Sequence, residues 1–168
     1  MRPSPESPHL PEIELVQVMP EAALAITQGA TPPGLKVPDD YPTEFSMGIA
    51  QAVGNDGQVG PFFVRRRDDG VIVGEIGGAF IDPSTVEIGY AVVASQAGRG
   101  YATAAVIAFV ADAEHRLADA RRIIAHAPLD RPASSRVLSK AGFANRGQVE
   151  DEHEGESLAV EEWELVLT

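Results

Sequence analysis

The chain contains no cysteine, which excludes disulfide bonds, a thiolate metal site and a cysteine nucleophile. Its four histidines (His9, His115, His126 and His153) are far apart and show no ligand spacing, so we expect surface histidines and no metal site. No apolar run is long enough to cross a bilayer, and the first residues lack the apolar region of a signal peptide. These absences predict a soluble, cytoplasmic protein that is not bound to a membrane.

Basic residues are also scarce, since 13 Lys and Arg oppose 25 Asp and Glu and give a formal net charge of −12. Neutralising a phosphate backbone needs a basic face, so the charge argues against a nucleic-acid partner. The acidity either steers a cationic amine towards the protein or serves solubility alone. With 168 residues, 44% of them hydrophobic, the chain suits a single domain with a real core. We expect that domain at residues 12–168, after a disordered leader at residues 1–11 that is rich in proline.

The most informative stretch is residues 86–118. An apolar strand over residues 86–93 leads into a turn with Gly98 and Gly100, and a long apolar helix begins at Tyr101. The first N–H groups of a helix have no partner within it, so this turn offers hydrogen-bond donors to an anion. Glycine also lets the backbone approach a diphosphate closely. The same two glycines are equally typical of a tight turn without a ligand.

Upstream, the pattern predicts a hairpin over residues 62–67 and 71–80, followed by a second turn into the central strand. If Ile81 pairs with Thr85, the odd-numbered residues of both strands share one face. Glu75 and Glu87 then stand above glycine and alanine positions, which we interpret as the floor of a groove. The two carboxylates would be roughly 13 Å apart along the strands, too far to share one proton.

The remaining pattern alternates strands and helices. A strand over residues 12–19 precedes a short helix from Pro20 and a second helix over residues 42–53. After the long helix we expect a strand over residues 123–127 and a helix from Pro132 that ends before Gly142. The chain then closes with a strand over 144–149, an acidic loop over 150–156 and a last strand that carries Trp163.

Two segments resemble motifs of the GNAT superfamily, the acyl-CoA-dependent N-acyltransferases. The segment EIGYAVVASQAGRGYATAA resembles motif A and is most similar to the branch of ribosomal-protein alanine N-acetyltransferases. The segment ASSRVLSKAGF resembles motif B, with matches at Ser134, Val137, Leu138, Lys140, Gly142 and Phe143. The sequence departs from the family pattern at Ser95, which replaces Gln or Arg, and at Arg131, which replaces Asn. Leu138 occupies the place of a tyrosine that many members have.

The resemblance implies an α/β fold with a mixed, mostly antiparallel sheet of about six to seven strands flanked by helices. It also implies a V-shaped splay between the fourth and fifth strands. Acetyl-CoA would be the acyl donor, and a primary amine, either a protein N-terminus or a small molecule, would attack it directly in a ternary complex. A homodimer is left open. The residues implied to bind acetyl-CoA are Val92, Val93, Gln96, Gly98, Arg99, Gly100, Tyr101, Ala102 and Arg131.

Amines are mostly protonated at neutral pH, so a carboxylate, usually acting through water, must remove the proton. Glu87 is the first candidate for this base and Glu75 the second, and each would otherwise be a solvated strand residue. By resemblance, Ser134 protonates the departing thiolate, because Leu138 cannot. A rival of another class is a GNAT-like module that binds or senses acyl-CoA without turnover, for which the departures at Arg131 and Leu138 leave room.

Overall fold

The computed structural model describes residues 9–153 and 155–168. Its strands are β1 (Ile13–Gln17), β2 (Gln58–Arg66), β3 (Ile72–Asp82), β4 (Thr85–Val92), β5 (Arg122–Pro128), β6 (Ala144–His153) and β7 (Glu156–Val166). Its α-helices are α1 (Pro20–Thr27), α2 (Ser46–Ala52), α3 (Tyr101–Arg116) and α4 (Pro132–Lys140). Within this described part, no helix is both long and apolar enough to span a membrane.

The strands form one seven-stranded sheet in the order β1-β2-β3-β4-β5-β7-β6. All neighbours are antiparallel except β4 and β5, which run parallel because α3 carries the chain back across the sheet. This mixed, mostly antiparallel sheet flanked by helices confirms the predicted fold class.

The parallel pair β4 and β5 separates after a short contact. Pairing runs from Thr85 with Arg122 to Ile88 with Ala125, whereas β4 continues to Val92 and β5 to Pro128. Beyond Ile88, β4 therefore has no strand partner on its β5 side within the described residues. The sheet opens there into the V that the resemblance implied between the fourth and fifth strands.

Helices cover both faces of the sheet. On one face, α3 buries Phe109 completely, and its ring meets Phe62 edge to face with centroids 6.1 Å apart. On the other face, α1 and α2 bury Ile26 and Ile49 in a cluster that includes Phe63. Successive side chains of a strand point to opposite faces, so β2 contributes one phenylalanine to each layer and joins the two cores.

The predicted register of β3 against β4 is confirmed at Glu75, which pairs with Ala91. The turn between the strands differs from the prediction, since Asp82 rather than Ile81 pairs with Thr85. The Asp82 carboxylate accepts a hydrogen bond from the amide two residues later, which favours this tighter turn. Ile81 is thereby displaced from the ladder and is 52% exposed.

Three predicted element boundaries were wrong: that of β2, which begins at Gln58 rather than at residue 62, that of helix α2 and that of the acidic loop. Helix α2 begins at Ser46 rather than at residue 42, because the preceding residues use their side chains to cover β3. The segment predicted as an acidic loop over 150–156 extends β6 up to residue 153, and Glu150 pairs there with Ala159 of β7. Since β6 is an edge strand, its carboxylates reach solvent, and the hydrophobic alternation that marks a half-buried strand is missing.

Candidate active site

A cleft of about 410 Å³ opens beside the splayed end of β4. Four segments line it: the end of β4, the glycine turn with the first turn of α3, α4 with the residue before it, and Glu44 of the connection between α1 and α2. The lining of the cleft contains most of the residues that were predicted to bind acetyl-CoA, and also the predicted acid, Ser134. The cofactor residues among them are Val92, Gln96, Gly98, Gly100, Tyr101, Ala102 and Arg131.

The glycine turn has the backbone geometry that the sequence predicted. Gly98 and Gly100 have φ angles of 77° and 88°, and Gly100 is the N-cap of α3. A Cβ atom on Gly98 would meet no protein atom within 4 Å, whereas one on Gly100 would lie 3.2 Å from Pro11. The first α-helical hydrogen bond of α3 is donated by Ala104 to the Gly100 carbonyl. The amides before Ala104 therefore remain available at the edge of the cleft.

Two of the predicted cofactor residues do not line the cleft, and a third lines it but uses its hydroxyl elsewhere. Val93 is 1% exposed, and its amide donates a hydrogen bond to the Val73 carbonyl at 2.8 Å, so it lies outside the cleft. Arg99 is exposed and does not line the cleft. The Tyr101 side chain is buried, and its hydroxyl accepts a hydrogen bond from Arg66 at 3.0 Å. The Tyr101 hydroxyl is thus already engaged by Arg66.

Positive charge is concentrated at this cleft in an otherwise acidic chain. Arg131, Arg136 and Lys140, all at or within α4, line it together. Three cations beside the free amides of a helix N-terminus suit a ligand with several anionic groups.

The connection between α1 and α2 makes two polar contacts near the cleft, and its Glu44 lines the cleft. The Asp40 carboxylate accepts hydrogen bonds from the Ser95 hydroxyl at 2.6 Å and from the Ser95 amide at 2.8 Å. These bonds hold the pKa of Asp40 below its usual value. Arg131 donates to Glu44 at 2.8 Å. Sequence reasoning missed both contacts, because their partners are 55 and 87 positions apart.

A second, shallower groove of about 340 Å³ continues along β4. Its floor includes Gly77, Ala79 and Gly89, one wall is formed by Phe45 beside α2, and Glu87 lines it. A Cβ atom on Gly89 would come within 2.7 Å of the Phe45 ring, so glycine is needed for the ring to lie on the strand. Gly89 lines this groove and Tyr90, the next residue of β4, lines the cleft, so the two openings lie on opposite faces of the sheet beside the splay.

Glu75, the second candidate base, does not face this groove. It is fully buried and accepts hydrogen bonds from three hydroxyls, those of Tyr41 at 3.0 Å, Thr43 at 2.8 Å and Ser46 at 2.6 Å. The expected open groove ends where these residues cover β3. Burial and the adjacent Glu75 carboxylate raise the pKa of Tyr41, so its hydroxyl stays protonated and donates. Glu75 therefore anchors the α1–α2 connection to the sheet.

Glu87, the first candidate base, meets a histidine that the sequence placed at the surface. His126 of β5 is only 17% exposed, and its Nδ1 atom lies 3.2 Å from a Glu87 oxygen and 3.4 Å from an Asp151 oxygen. Its Nε2 atom lies 3.2 Å from Glu162. These four residues come from β4, β5, β6 and β7, so no local spacing could have revealed the cluster.

The charges in this cluster and burial together set two pKa values. Burial raises the pKa of Glu87, the neighbouring His126 acts in the opposite direction, and the charges of Asp151 and Glu162 raise it further. For His126, burial disfavours the charged ring, but the Glu162 contact and the charges of Glu87 and Asp151 outweigh it and raise the pKa. One side-chain atom from each of Glu87, His126 and Asp151 lies within 4.8 Å of the other two.

The sequence and the fold of this chain are similar to those of known proteins. Residues 9–144 match the sequence profile of the acetyltransferase (GNAT) domain. A search of curated protein sequences finds no significant match. A solved GNAT-family acetyltransferase from Bacillus anthracis has a TM-score of 0.67 and 16% identity, over 94% of this chain and 96% of its own.

Two further solved structures are similar in fold. The ribosomal L7/L12 alpha-N-protein acetyltransferase RimL, in complex with coenzyme A, has a TM-score of 0.67 and 16% identity over 92% of this chain and 94% of its own. Mutant forms of the spermidine/spermine N-acetyltransferase SpeG from Vibrio cholerae have a TM-score of 0.65 and 13% identity, over 92% and 95%. At such identities the likeness concerns the fold alone.

Proposed function

Because this chain belongs to the GNAT acetyltransferase family, we propose that it transfers an acetyl group from acetyl-CoA to a primary amine by direct attack in a ternary complex. The observation that carries the proposal is the cleft at the splayed end of β4. There Gly98 and Gly100 expose the N-terminus of α3, and cationic side chains of α4 lie opposite.

The residues of the cleft fit this donor. Amides at the start of α3 would hold the diphosphate, which the helix dipole also favours. Arg136 and Lys140 would add charge-assisted contacts to phosphate oxygens. The unpaired edge of β4 as far as Val92 would bind the amides of the pantetheine arm. When bound, acetyl-CoA supplies the thioester that the amine attacks.

The groove beside Phe45 would receive the amine, because it lies along β4 next to the point where β4 leaves β5 and through which the amine could reach the cleft. Glu87 lines this groove and would remove the ammonium proton through a water molecule. Ser134 lines the cleft and would protonate the departing thiolate. We do not assign the base to Glu75, since both its oxygens accept hydrogen bonds from buried or half-buried hydroxyls. Structural neighbours acetylate a polyamine and a ribosomal protein, so both amine classes belong in a substrate screen.

Calorimetric titration with acetyl-CoA tests the donor. Gly98→Ala and Gly29→Ala form a matched pair, since the φ angles are 77° and 74° and neither added Cβ atom would meet a protein atom within 4 Å. The backbone strain is therefore similar, but only Gly98 lies in the cleft. We expect Gly98→Ala to weaken binding by about tenfold or more, roughly 1.4 kcal/mol, and Gly29→Ala to bind as the wild type does. Equal affinities in the two variants would refute this placement of the donor.

Thiol release in the presence of polyamines, peptide amines and small amines tests turnover. Glu87→Gln should lower turnover at neutral pH and recover partly at high pH, where the amine loses its proton unaided. Its affinity for acetyl-CoA should not change. A pH profile identical to that of the wild type would remove Glu87 from the mechanism. Binding without thiol release for any amine would instead favour the acyl-CoA-binding module.

A further inference from the structure

We infer that His126 is a positioning residue for the acetyl transfer: as an imidazolium it holds Glu87 in place and in the ionised form that can accept a proton. The inference rests on the proposed function. It concerns a residue that no sequence motif marks.

His126 lies at the apex of the V. The last residue of β5 that pairs with β4 is Ala125, opposite Ile88, and His126 is the next residue of β5. The ring therefore stands where the two strands begin to separate, directly behind the carboxylate that lines the groove.

The two ring nitrogens of His126 make different kinds of contact. Nε2 lies at hydrogen-bond distance from Glu162, which fixes the orientation of the imidazole. Nδ1 is buried and makes no hydrogen bond within the described residues, although Glu87 and Asp151 both lie within 3.4 Å. Nδ1 thus interacts with Glu87 through charge rather than through a directed bond. This geometry fits an electrostatic role.

The carboxylates around His126 explain why Glu87 needs a neighbouring cation. The titratable groups that face His126 are Glu87 on β4, Asp151 on β6 and Glu162 on β7. Without a cation among them, Glu87 would be a partly buried carboxylate beside two like charges, and both conditions favour its neutral form. A neutral carboxylic acid cannot serve as the base. The imidazolium offsets this repulsion at neutral pH.

The pH dependence of kcat/KM tests the inference with four variants. His126→Gln removes the charge, His126→Lys restores it, and Asp151→Asn removes one of the like charges near Glu87. His115→Gln is the matched control, since His115 is exposed on α3. We expect the acidic limb of His126→Gln to move upward by about one pH unit, a tenfold loss on that limb. His126→Lys should return it towards the wild-type position, and Asp151→Asn should move it downward.

A purely structural role for His126 would shift the Gln and Lys variants alike, and that result would overturn the inference. A His126→Gln profile that superimposes on the wild-type profile would overturn it as well. All assays contain EDTA, so that no bridging metal ion contributes. Calorimetry with acetyl-CoA should give wild-type affinity for every variant, because His126 does not line the cofactor cleft.

An NMR titration of the histidine Cε1–H signals in the free protein separates this inference from the proposed function. The His126 signal is identified by its loss in His126→Gln. Its midpoint should lie above the ordinary value of 6.5 and fall in Glu87→Gln. A midpoint that Glu87→Gln leaves unchanged would refute the inference even in an active enzyme. A wild-type protein that binds acetyl-CoA but acetylates no amine would instead refute the proposed function, and the role of His126 with it.

Discussion

Replacing Glu75 with alanine should destabilise the fold without removing a group that reacts. Glu75 is 0% exposed, and its carboxylate is the common acceptor for the hydroxyls of Tyr41, Thr43 and Ser46. These donors belong to the segment that begins α2 and carries Phe45, which packs on Gly89 at the groove. The variant would therefore release the wall of the groove from the sheet.

The magnitude follows from how far each donor can reach water. Ser46 is 1% exposed, and the loss of its hydrogen bond to a charged acceptor costs about 1.5–3 kcal/mol, with Thr43 Oγ1 remaining 3.1 Å away as a neutral partner. Tyr41 and Thr43 are half-buried, so they regain water in part and contribute about 0.5–1.5 kcal/mol each. The variant also gains, because a carboxylate no longer has to be buried. We expect a net loss of about 3 kcal/mol in the free energy of unfolding, at the upper end of ordinary point mutations.

Thermal unfolding by calorimetry measures this loss. At about 2–4 °C per kcal/mol for a chain of this length, Tm should fall by about 6–12 °C. Glu114→Ala, at an exposed position on α3, is the matched control and should leave Tm within about 2 °C of the wild type. In kinetic assays below Tm, KM for the amine should rise more than kcat falls. A Glu75→Ala protein with wild-type Tm and no turnover would refute the anchoring role and restore Glu75 as a candidate base.

Two further predictions concern the cleft and its border. Ser134→Ala should lower kcat in the thiol-release assay and leave the affinity for acetyl-CoA unchanged. The control Tyr90→Phe loses only a 3.3 Å hydrogen bond to the Ser134 carbonyl and should retain turnover. Equal loss of turnover in the two variants would contradict the acid role of Ser134. A hydrogen bond from Arg66 lowers the pKa of Asp69 from 3.8 to about 2. The stabilisation by this carboxylate is therefore present above the unfolded pKa and is lost as pH falls from 3.8 towards about 2. Urea unfolding should show the difference between wild type and Asp69→Asn shrinking over that range, and a constant difference would contradict the ion pair.

Features that neighbouring residues encode could be predicted from the sequence. Gly98 and Gly100 after an apolar strand predicted the turn, and both have positive φ. The assumed turn between Ile81 and Thr85 predicted the register that sets Glu75 opposite Ala91, and that register is correct although Asp82 takes the place of Ile81 at the turn. The splay of β4 from β5 followed from the family resemblance. The cleft was also largely predictable from the family resemblance, since much of its lining lies within residues 90–103 and 131–140, which overlap the two motif-like segments.

Burial and ion pairing at the centre of the site were decided only by the tertiary structure. Glu75 was expected in an open groove, but the segment that covers it lies about thirty residues earlier and has no periodic pattern. His126 was expected at the surface, but β4, β6 and β7 bring three carboxylates to it. Backbone conformation depends on local propensity and hydrophobic period, which a short window of sequence contains. The environment of a side chain depends on which distant strands lie beside it, and the sheet order that sets this is fixed only when the whole core packs.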